Sequence, residues 1–379
     1  MALGQVEVNN LNLGQGGIPE IERHLLFIGT TAKAALQGKV TRIDATTDLD
    51  ELFLNGEQPD DALAANVKAA QVNGGQNWTA EVFGLDGVEG GLTWADAIDI
   101  ANESGSFEAV VIIDETTNKA DFDAMQAVTA ELTNKLGRWC FVLAAVPGID
   151  AETQTWTEYE NATIALQAGV AANMVVAVPQ LHGNNAGVLA GRLCNRAVTI
   201  ADTPMRVATG PVLSLGEAPV DCAGKPLGLA TLGALSRERF SVPQWYADYE
   251  GIYWADASTL EAKGGDYQFL EYIRPVHKLN RRVRIKAIRR IADKILNSTP
   301  ESIEMNKQYF AADMREMSKG IEIGGIQFPG EIMPPAEGDV TIQWMTKTKV
   351  AIGLIVTPHN CPKHIVVNIA LDLSNQAEA

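Results

Sequence analysis

Residues 108–148 read EAVVIIDETTNKADFDAMQAVTAELTNKLGRWCFVLAAVPG. The run AVVII from Ala109 is continuously apolar, which is typical of a strand buried on both faces, and WCFVLAA from Trp139 has the same character. Between these runs, the residues from Lys119 onward have the polar and apolar spacing of an amphipathic helix. Strand, helix and strand in this order predict a parallel βαβ unit.

The same alternation continues towards the C-terminus. A predicted helix begins at Ala151, a third apolar strand (MVVAV) begins at Met174, and another helix begins at Asn184. From about Ala201 the segments become punctuated by glycine and proline, and two helices follow. The fold class predicted is therefore α/β: a core of parallel βαβ units, an α+β C-terminal domain, and extended β-strand arms at both termini. The predicted bounds are 1–22 for the N-terminal arm, 23–200 for the core, 201–357 for the C-terminal domain and 358–379 for the C-terminal arm.

The amino-acid composition is that of a globular protein. The chain has 379 residues, of which 46% are hydrophobic, so it can bury a sizeable core. Its first residues have no basic segment followed by an apolar one, and its most apolar run is too short to span a bilayer, so we expect a cytoplasmic origin and no direct membrane insertion. Four cysteines without CxxC spacing favour free thiols: Cys140, Cys194, Cys222 and Cys361.

Charge is unevenly distributed along the chain. The formal net charge is -17, and sixteen acidic residues against one basic residue lie between Asp44 and Glu115, which is typical of a solvated outer surface. By contrast, nine Lys or Arg lie between Arg274 and Lys294 with only Asp293 against them. The segment contains no interleaved aromatic residues, and the chain is acidic overall, so nucleic acid is not expected as a partner.

The basic segment has the periodicity of an amphipathic helix. Pro275 can occupy its first turn, and NSTPE from Asn297 ends it before a second helix that runs to about Lys319. An apolar row recurs every four residues beside a separate cationic row: Leu279, Val283, Ala287, Ile291 and Ile295 form the first, and Lys278, Arg282, Lys286 and Arg290 form the second. The cationic row could bind a partner, or it could be solvated or paired internally with the acidic N-terminal half.

Both termini show the alternation of a strand. Near the C-terminus the apolar positions are Ile365, Val367, Ile369, Leu371 and Leu373, and near the N-terminus they are Val6, Val8, Leu11 and Leu13. Each strand could pair within its own domain. Alternatively, each could add to the sheet of a neighbouring subunit through main-chain hydrogen bonds.

Candidate catalytic and metal residues are few. Gly84, Gly87, Gly90 and Gly91 do not have the spacing of a phosphate-binding loop, and Asp86 and Glu89 would repel phosphate. His359, Cys361 and His364 are close in sequence but lack a clear fourth metal ligand. His182 follows a strand, where α/β enzymes place ligands, so a cytoplasmic α/β enzyme with a site near His182 is the alternative function. We expect no catalytic residue, metal or cofactor.

Several stretches, in order, resemble contractile tail sheath proteins of myophages and R-type pyocins. They are ERHLLFIGTT from Glu22, AAQVNGGQNWTAEV from Ala69, ADTPMRVATGPV from Ala201, EGIYWADASTL from Glu250 and YIRPVHKLNRRVRIKAIRRIADKI from Tyr272. Better-known members carry a fuller glycine-rich stretch after the first strand and a Trp-Gly-x-Arg-Thr-Leu motif. Here, residues 254–260 read WADASTL, which indicates a divergent branch.

The resemblance implies a structural subunit and not an enzyme. Such sheaths form hexameric rings that stack helically around an inner tube and contract to drive the tube through a target cell envelope. The implied partners are further copies of the chain, the inner tail tube protein, and the baseplate and tail terminator proteins, in a virion tail assembled in the host cytoplasm. The terminal strands would link neighbouring copies. The tube-facing residues implied are Lys278, Arg281, Arg282, Lys286, Arg289 and Arg290.

Overall fold

A computed structural model describes residues 21–53 and 61–371. A six-stranded sheet with the order β2-β3-β1-β4-β5-β6 forms its centre, and every neighbouring pair is parallel except β2 with β3. The strands are β1 His24–Thr30, β2 Val40–Asp44, β3 Thr79–Leu85, β4 Ala109–Ile112, β5 Phe141–Val146 and β6 Val175–Pro179. The parallel sheet predicted from residues 108–178 is confirmed.

Helices connect the strands and cover the sheet. In the first part of the chain they are α1 Leu49–Phe53, α2 Ala62–Gly74, α3 Trp94–Ser104, α4 Lys119–Glu131, α5 Trp156–Gln167 and α6 Asn185–Cys194. Short polar side chains cap several helix N-termini, where free backbone N–H groups need acceptors. For example, Thr93 and Thr155 each form a reciprocal capping box with an acidic residue three positions later.

Both faces of the sheet are buried. On β4, Ala109 and Val111 belong to one hydrophobic cluster, while Val110 and Ile112 belong to another on the opposite face. Successive strand residues point to opposite faces, so a strand that is apolar at every position must be covered on both sides. This explains why these strands read as uninterrupted apolar runs.

Residues after α6 first pack on the sheet and then form a separate hydrophobic cluster. Helix α7 (Leu229–Arg237) and the hairpin β7 (Pro243–Tyr246) and β8 (Tyr249–Trp254) contribute to the sheet clusters, with Trp254 fully buried. The third cluster contains Phe310 and Met314. Its elements are α8 Leu270–Ile288, α9 Pro300–Met317, β11 Val340–Trp344 and β12 Val350–Leu354, with a small hairpin of β9 Ile321–Ile323 and β10 Ile326–Phe328 between them. The four predicted segment bounds stay predictions.

The basic helix differs from its predicted extent. Helix α8 begins at Leu270, contains Pro275 in its interior, and ends at Ile288. Tight turns follow, with Ala292 in a left-handed conformation at φ 58°. The prediction that Ile291 and Ile295 continue the buried row is therefore wrong, because both are exposed beyond the helix end. The second helix is confirmed as α9, with Thr299 as its N-cap.

No helix within residues 21–53 and 61–371 is both long enough and apolar enough to cross a membrane.

Candidate assembly interfaces

The start of α8 is fixed to the sheet by a buried ion pair. The Arg274 guanidinium donates to both carboxylate oxygens of Glu108, at 2.7 and 3.0 Å, and to the Leu193 carbonyl at 3.0 Å. Arg274 and Glu108 are almost completely inaccessible to solvent. Burial alone would raise the pKa of Glu108, but Arg274 outweighs that effect and the pKa is lowered. The carboxylate therefore stays ionised, and this pair holds α8 against the sheet.

Arg281 is also a structural residue of this chain. Its guanidinium pairs with Glu22 at 2.8 Å and donates to the Trp139 carbonyl at 2.9 Å, and both charged side chains are buried. The tube-facing role that the resemblance implied for Arg281 therefore needs correction, because its donors are engaged inside the fold. Glu22, which the sequence did not single out, fixes the point at which the N-terminal segment joins the body.

Four of the other predicted tube-facing cations have acidic partners within the chain. Lys278 contacts Glu331 at 2.6 Å, Arg282 contacts Glu316 at 3.5 Å, Lys286 contacts Asp313 at 2.8 Å, and Arg290 contacts Asp293 at 2.9 Å. These acids lie on α9 and in loops of the C-terminal part, not in the acidic stretch between Asp44 and Glu115. Internal pairing therefore accounts for most of the cationic row, with partners different from those the sequence suggested.

The end of α8 forms an exposed tip, which we define as residues 288–295. Ile288, Ile291 and Ile295 have 49%, 74% and 49% of their surface exposed. Arg289 and Lys294 are exposed beside them, and neither side chain has an ion-pair partner within the described part of the chain. Three exposed isoleucines with two available cations are suited to a surface that is both apolar and acidic.

The C-terminal arm, defined here as residues 365–371, leaves the body and has no β partner among the residues that the structure describes. Its apolar side chains are 69–93% exposed: Ile365, Val366, Val367, Ile369 and Leu371. Contiguous exposed apolar residues of this kind mark an interaction segment. Leu373 lies outside the described residues, as do Val6, Val8, Leu11 and Leu13 of the predicted N-terminal arm.

Lys363 anchors the C-terminal arm to the body. Its ammonium group pairs with Asp256 and, at 2.8 Å, with Glu271, and it lies 3.5 Å from the centroid of the Phe269 ring. Burial raises the pKa of Glu271, and Lys363 partly offsets that effect. The sequence gives no sign of this role for Lys363, because its carboxylate partners lie far earlier in the chain, Asp256 by 107 positions.

Replacing Lys363 with methionine should loosen the root of the arm. Asp256 and Glu271 would then lie close together and buried without a cation, so we expect a loss of about 2 kcal/mol in the free energy of unfolding. Urea denaturation measures this loss, and Lys347→Met, at an exposed turn, is the matched control. Equal stability of the two variants would show that Lys363 does not fix the arm root.

The candidate catalytic and metal residues occupy ordinary environments. The His182 ring nitrogen lies 3.4 Å from the Asn185 side-chain amide, and burial lowers the pKa of the imidazole. This environment adds no support to the enzyme alternative. Cys361 and the histidines on either side line a cavity of about 710 Å³ around the arm root, where burial raises the pKa of the thiol. Across the described residues, no three His, Cys, Asp or Glu side chains converge as metal ligands.

Comparison with known proteins identifies the family. Two family profiles match the chain: "DUF2586, N-terminal domain" over residues 3–258 and "DUF2586, C-terminal domain" over residues 266–374. A protein of Haemophilus phage HP1, named as a tail sheath protein, is 45% identical over 379 residues, which covers 98% of this chain and 99% of the relative.

Solved sheath structures share the fold. The PVC sheath of an extracellular contractile injection system, in its contracted state, superposes with a TM-score of 0.58 at 15% identity, and 99% of each chain is covered. The sheath tail protein of Desulfitobacterium hafniense gives a TM-score of 0.55 at 11% identity, covering 93% of this chain and 96% of that one. The chain therefore belongs to the DUF2586 family and is a contractile tail sheath protein, a structural subunit of the virion tail.

Proposed function

We propose that the chain polymerises as stacked hexameric rings around an inner tube, with neighbouring copies joined by terminal strands, and contracts to drive the tube through a target envelope. The ends of the stack would bind the baseplate and the tail terminator. The observation that supports this proposal most is the C-terminal arm, because its apolar residues have no partner in the described chain. A second copy supplies the missing sheet edge in this proposal.

Energetics favour a sheet partner over simple apolar contact. Burying one large apolar side chain contributes about 1.5–3 kcal/mol, whereas ordering the backbone costs about 1–2 kcal/mol per residue. The two terms are of similar size for a short arm, so main-chain hydrogen bonds to a partner strand are needed to hold it. In a polymer every copy both gives and receives an arm, so weak individual links add up to a stable lattice.

Contraction in this proposal moves rigid bodies that remain linked. The sheet and its helices form the body, and the Lys363 anchor passes force from the arm to that body through Asp256 and Glu271. The assembly would be metastable before contraction, so the rearrangement of interfaces supplies the energy. No cofactor is part of the proposal.

The tip of α8 is the part of the basic segment that we assign to the tube. Of the tube-facing residues that the resemblance implied, Arg289 is exposed at this tip. Lys294 and the exposed isoleucines extend the surface around it. Arg282 is partly exposed and pairs with the exposed Glu316 at 3.5 Å, so it can add to the same contact.

Reversing the charge of the tip should weaken tube binding without unfolding the chain. The double variant is Arg289→Glu with Lys294→Glu. Substitutions at exposed positions of this kind alter the free energy of unfolding by only about 0.5 kcal/mol each. We expect the variant to co-assemble poorly on purified tubes in a sedimentation assay at low salt. Lys347→Glu with Lys349→Glu reverses the same charge at another exposed turn and serves as the control. Normal tube binding by the tip variant would remove this role from the tip.

Electron microscopy of the purified chain tests the proposed function as a whole. We expect long hollow cylinders with a regular axial repeat. A solution of monomers or small closed oligomers, under conditions where the chain is folded, would count against polymerisation as stacked rings.

A further inference from the structure

The two ends of the parallel sheet carry opposite charge. Strands β1, β3, β4, β5 and β6 all run in one direction, so their first residues meet at one end of the body and their last residues at the other. At the first end lies a cleft of about 690 Å³. We define it as the arginine cleft by five of its lining residues: Arg42, Arg138, Arg196, Arg281 and Arg284.

The arginine cleft has cationic groups available for a ligand. Arg281 pairs with Glu22, and Arg138 donates to carbonyl oxygens near α3. Arg42 and Arg284 are exposed, and Arg284 packs over Gly137. Two acids, Glu22 and Glu81, line the cleft against the five arginines. Its remaining walls include the apolar side chains of Phe107, Trp139 and Ile285, so the cleft is suited to an acidic segment with an apolar residue at its centre.

Such a segment lies at the opposite end of the sheet. The acidic loop, defined as residues 86–91, follows β3, and Gly87 and Gly90 make its turns at φ 68° and 79°. Val88 is 66% exposed and lies between the two acids of the loop, Asp86 and Glu89. More carboxylates lie at this end, from Asp114, Glu115 and Asp150, while Lys33 and Lys39 lie on the β1–β2 connection.

Separation prevents the two charged ends from neutralising each other within one copy. Strands β1 and β3 each have seven residues, which at about 3.3 Å per residue places their ends roughly 20 Å apart. This distance exceeds the screening length of about 8 Å at physiological salt. The cleft and the loop are different surfaces, so a contact between them joins copies head to tail, as in a ring or a helical stack, and not as a two-fold dimer.

We propose that the acidic loop of one copy docks into the arginine cleft of the next copy. Val88 enters between the apolar walls, and the carboxylates of Asp86 and Glu89 face Arg42 and Arg284. The partner is therefore a second copy of this chain. This inference rests on the proposed function, in which copies stack, and it adds a contact between bodies that does not involve the terminal strands.

Charge exchange between copies tests the contact. The first variant is Arg42→Glu with Arg284→Glu, and the second is Asp86→Lys with Glu89→Lys. In a solution of either variant alone, the cleft of one copy and the loop of the next carry like charges. We therefore expect the concentration needed for polymer formation to rise roughly tenfold or more. An equal mixture of the two variants should polymerise again, because each cleft then meets a loop of opposite charge. Lys307→Glu with Lys319→Glu reverses charge outside both surfaces and should polymerise like the wild type.

The outcomes separate this contact from the proposed function. Thermal unfolding first confirms that each variant is folded, which we expect because all four positions are exposed. If the wild type and both variants polymerise equally, the contact is wrong and the proposed function stands. If each variant fails and their mixture also fails, the cleft and loop do not meet each other, and the proposed contact is wrong. If the wild type forms no polymer, both proposals fail together.

Discussion

Removal of residues 365–379 should yield a folded, soluble protein that forms no polymer. The described part of this segment has no β partner within residues 21–53 and 61–371, and its apolar side chains are mostly exposed. Losing such residues should change the free energy of unfolding by less than about 0.5 kcal/mol, because little native contact is lost. Polymerisation should be abolished, since each copy would lack the strand that joins it to its neighbour.

A proline substitution distinguishes main-chain strand pairing from simple burial of apolar side chains as the role of the arm. In Val367→Pro the arm keeps its length, but the residue cannot donate a main-chain hydrogen bond, so strand addition should be impaired. Val367→Ala removes side-chain area while keeping the N–H group, and it should impair polymerisation less. Sedimentation measures the polymer and thermal unfolding measures the fold. A truncated protein that unfolds, or one that still polymerises, would contradict the proposed role of the arm.

The largest effect on stability should come from Arg274→Leu. This variant leaves the Glu108 carboxylate buried at the start of β4 without its guanidinium partner. Removing one partner of a buried ion pair lowers the free energy of unfolding by about 3–5 kcal/mol. This is a large fraction of the roughly 5–15 kcal/mol that typically stabilises a domain. We therefore expect urea denaturation to show a loss of about 4 kcal/mol, with most of it recovered in the double variant Arg274→Leu with Glu108→Leu.

The pH dependence gives an independent check on this pair. In the wild type the pKa of Glu108 is lowered, so the pair's contribution is present above the carboxylate's ordinary pKa and is lost as pH falls through the folded value. In Arg274→Leu, burial without a cation should raise that pKa instead, so the variant should be relatively more stable at acidic pH. The stability difference should therefore shrink between pH 7 and about pH 4. A loss below about 1 kcal/mol, or one independent of pH, would falsify the structural role of this pair.

The sequence predicts the sheet well because the sheet imposes a simple pattern. Strands β4, β5 and β6 are apolar at nearly every position, since both faces of a parallel sheet are covered. The end of α8 could not be predicted in the same way. Ile291 and Ile295 keep the four-residue spacing of the helix, yet the chain turns after Ile288, and Asp293 accepts a backbone hydrogen bond from Ile295. Spacing is required for an amphipathic helix but does not ensure that the helix continues.

Ionic partners were the part of the candidate site that the sequence could not reveal. The helical pattern counts cations on a face, but it does not show which acids fold against them. Arg281 and Glu22 are separated by 259 positions, and Lys363 and Asp256 by 107. Pairing across such distances depends on the tertiary fold. This is why Arg281 lies inside the structure, while Arg289 at the end of the helix remains available.

The C-terminal alternation predicted a strand but not its partner. Ile365 and the alternate residues after it have the apolar pattern of a strand, and within the described chain they have no sheet to join. A strand that pairs with another copy has the same local sequence pattern as a strand that pairs within its own chain. Within the described residues this segment lies outside the body and joins no strand, and its pairing with a neighbouring copy stays a prediction.

Reconstruction of the polymer by electron cryo-microscopy, at a resolution that traces the backbone, would show where the C-terminal arm pairs. We expect a hollow helical cylinder in which residues 365–371 of each copy form a strand hydrogen-bonded to a neighbouring copy. The same segment folded back as a strand of its own chain, or a cylinder held together without it, would rule out strand addition between copies by this arm.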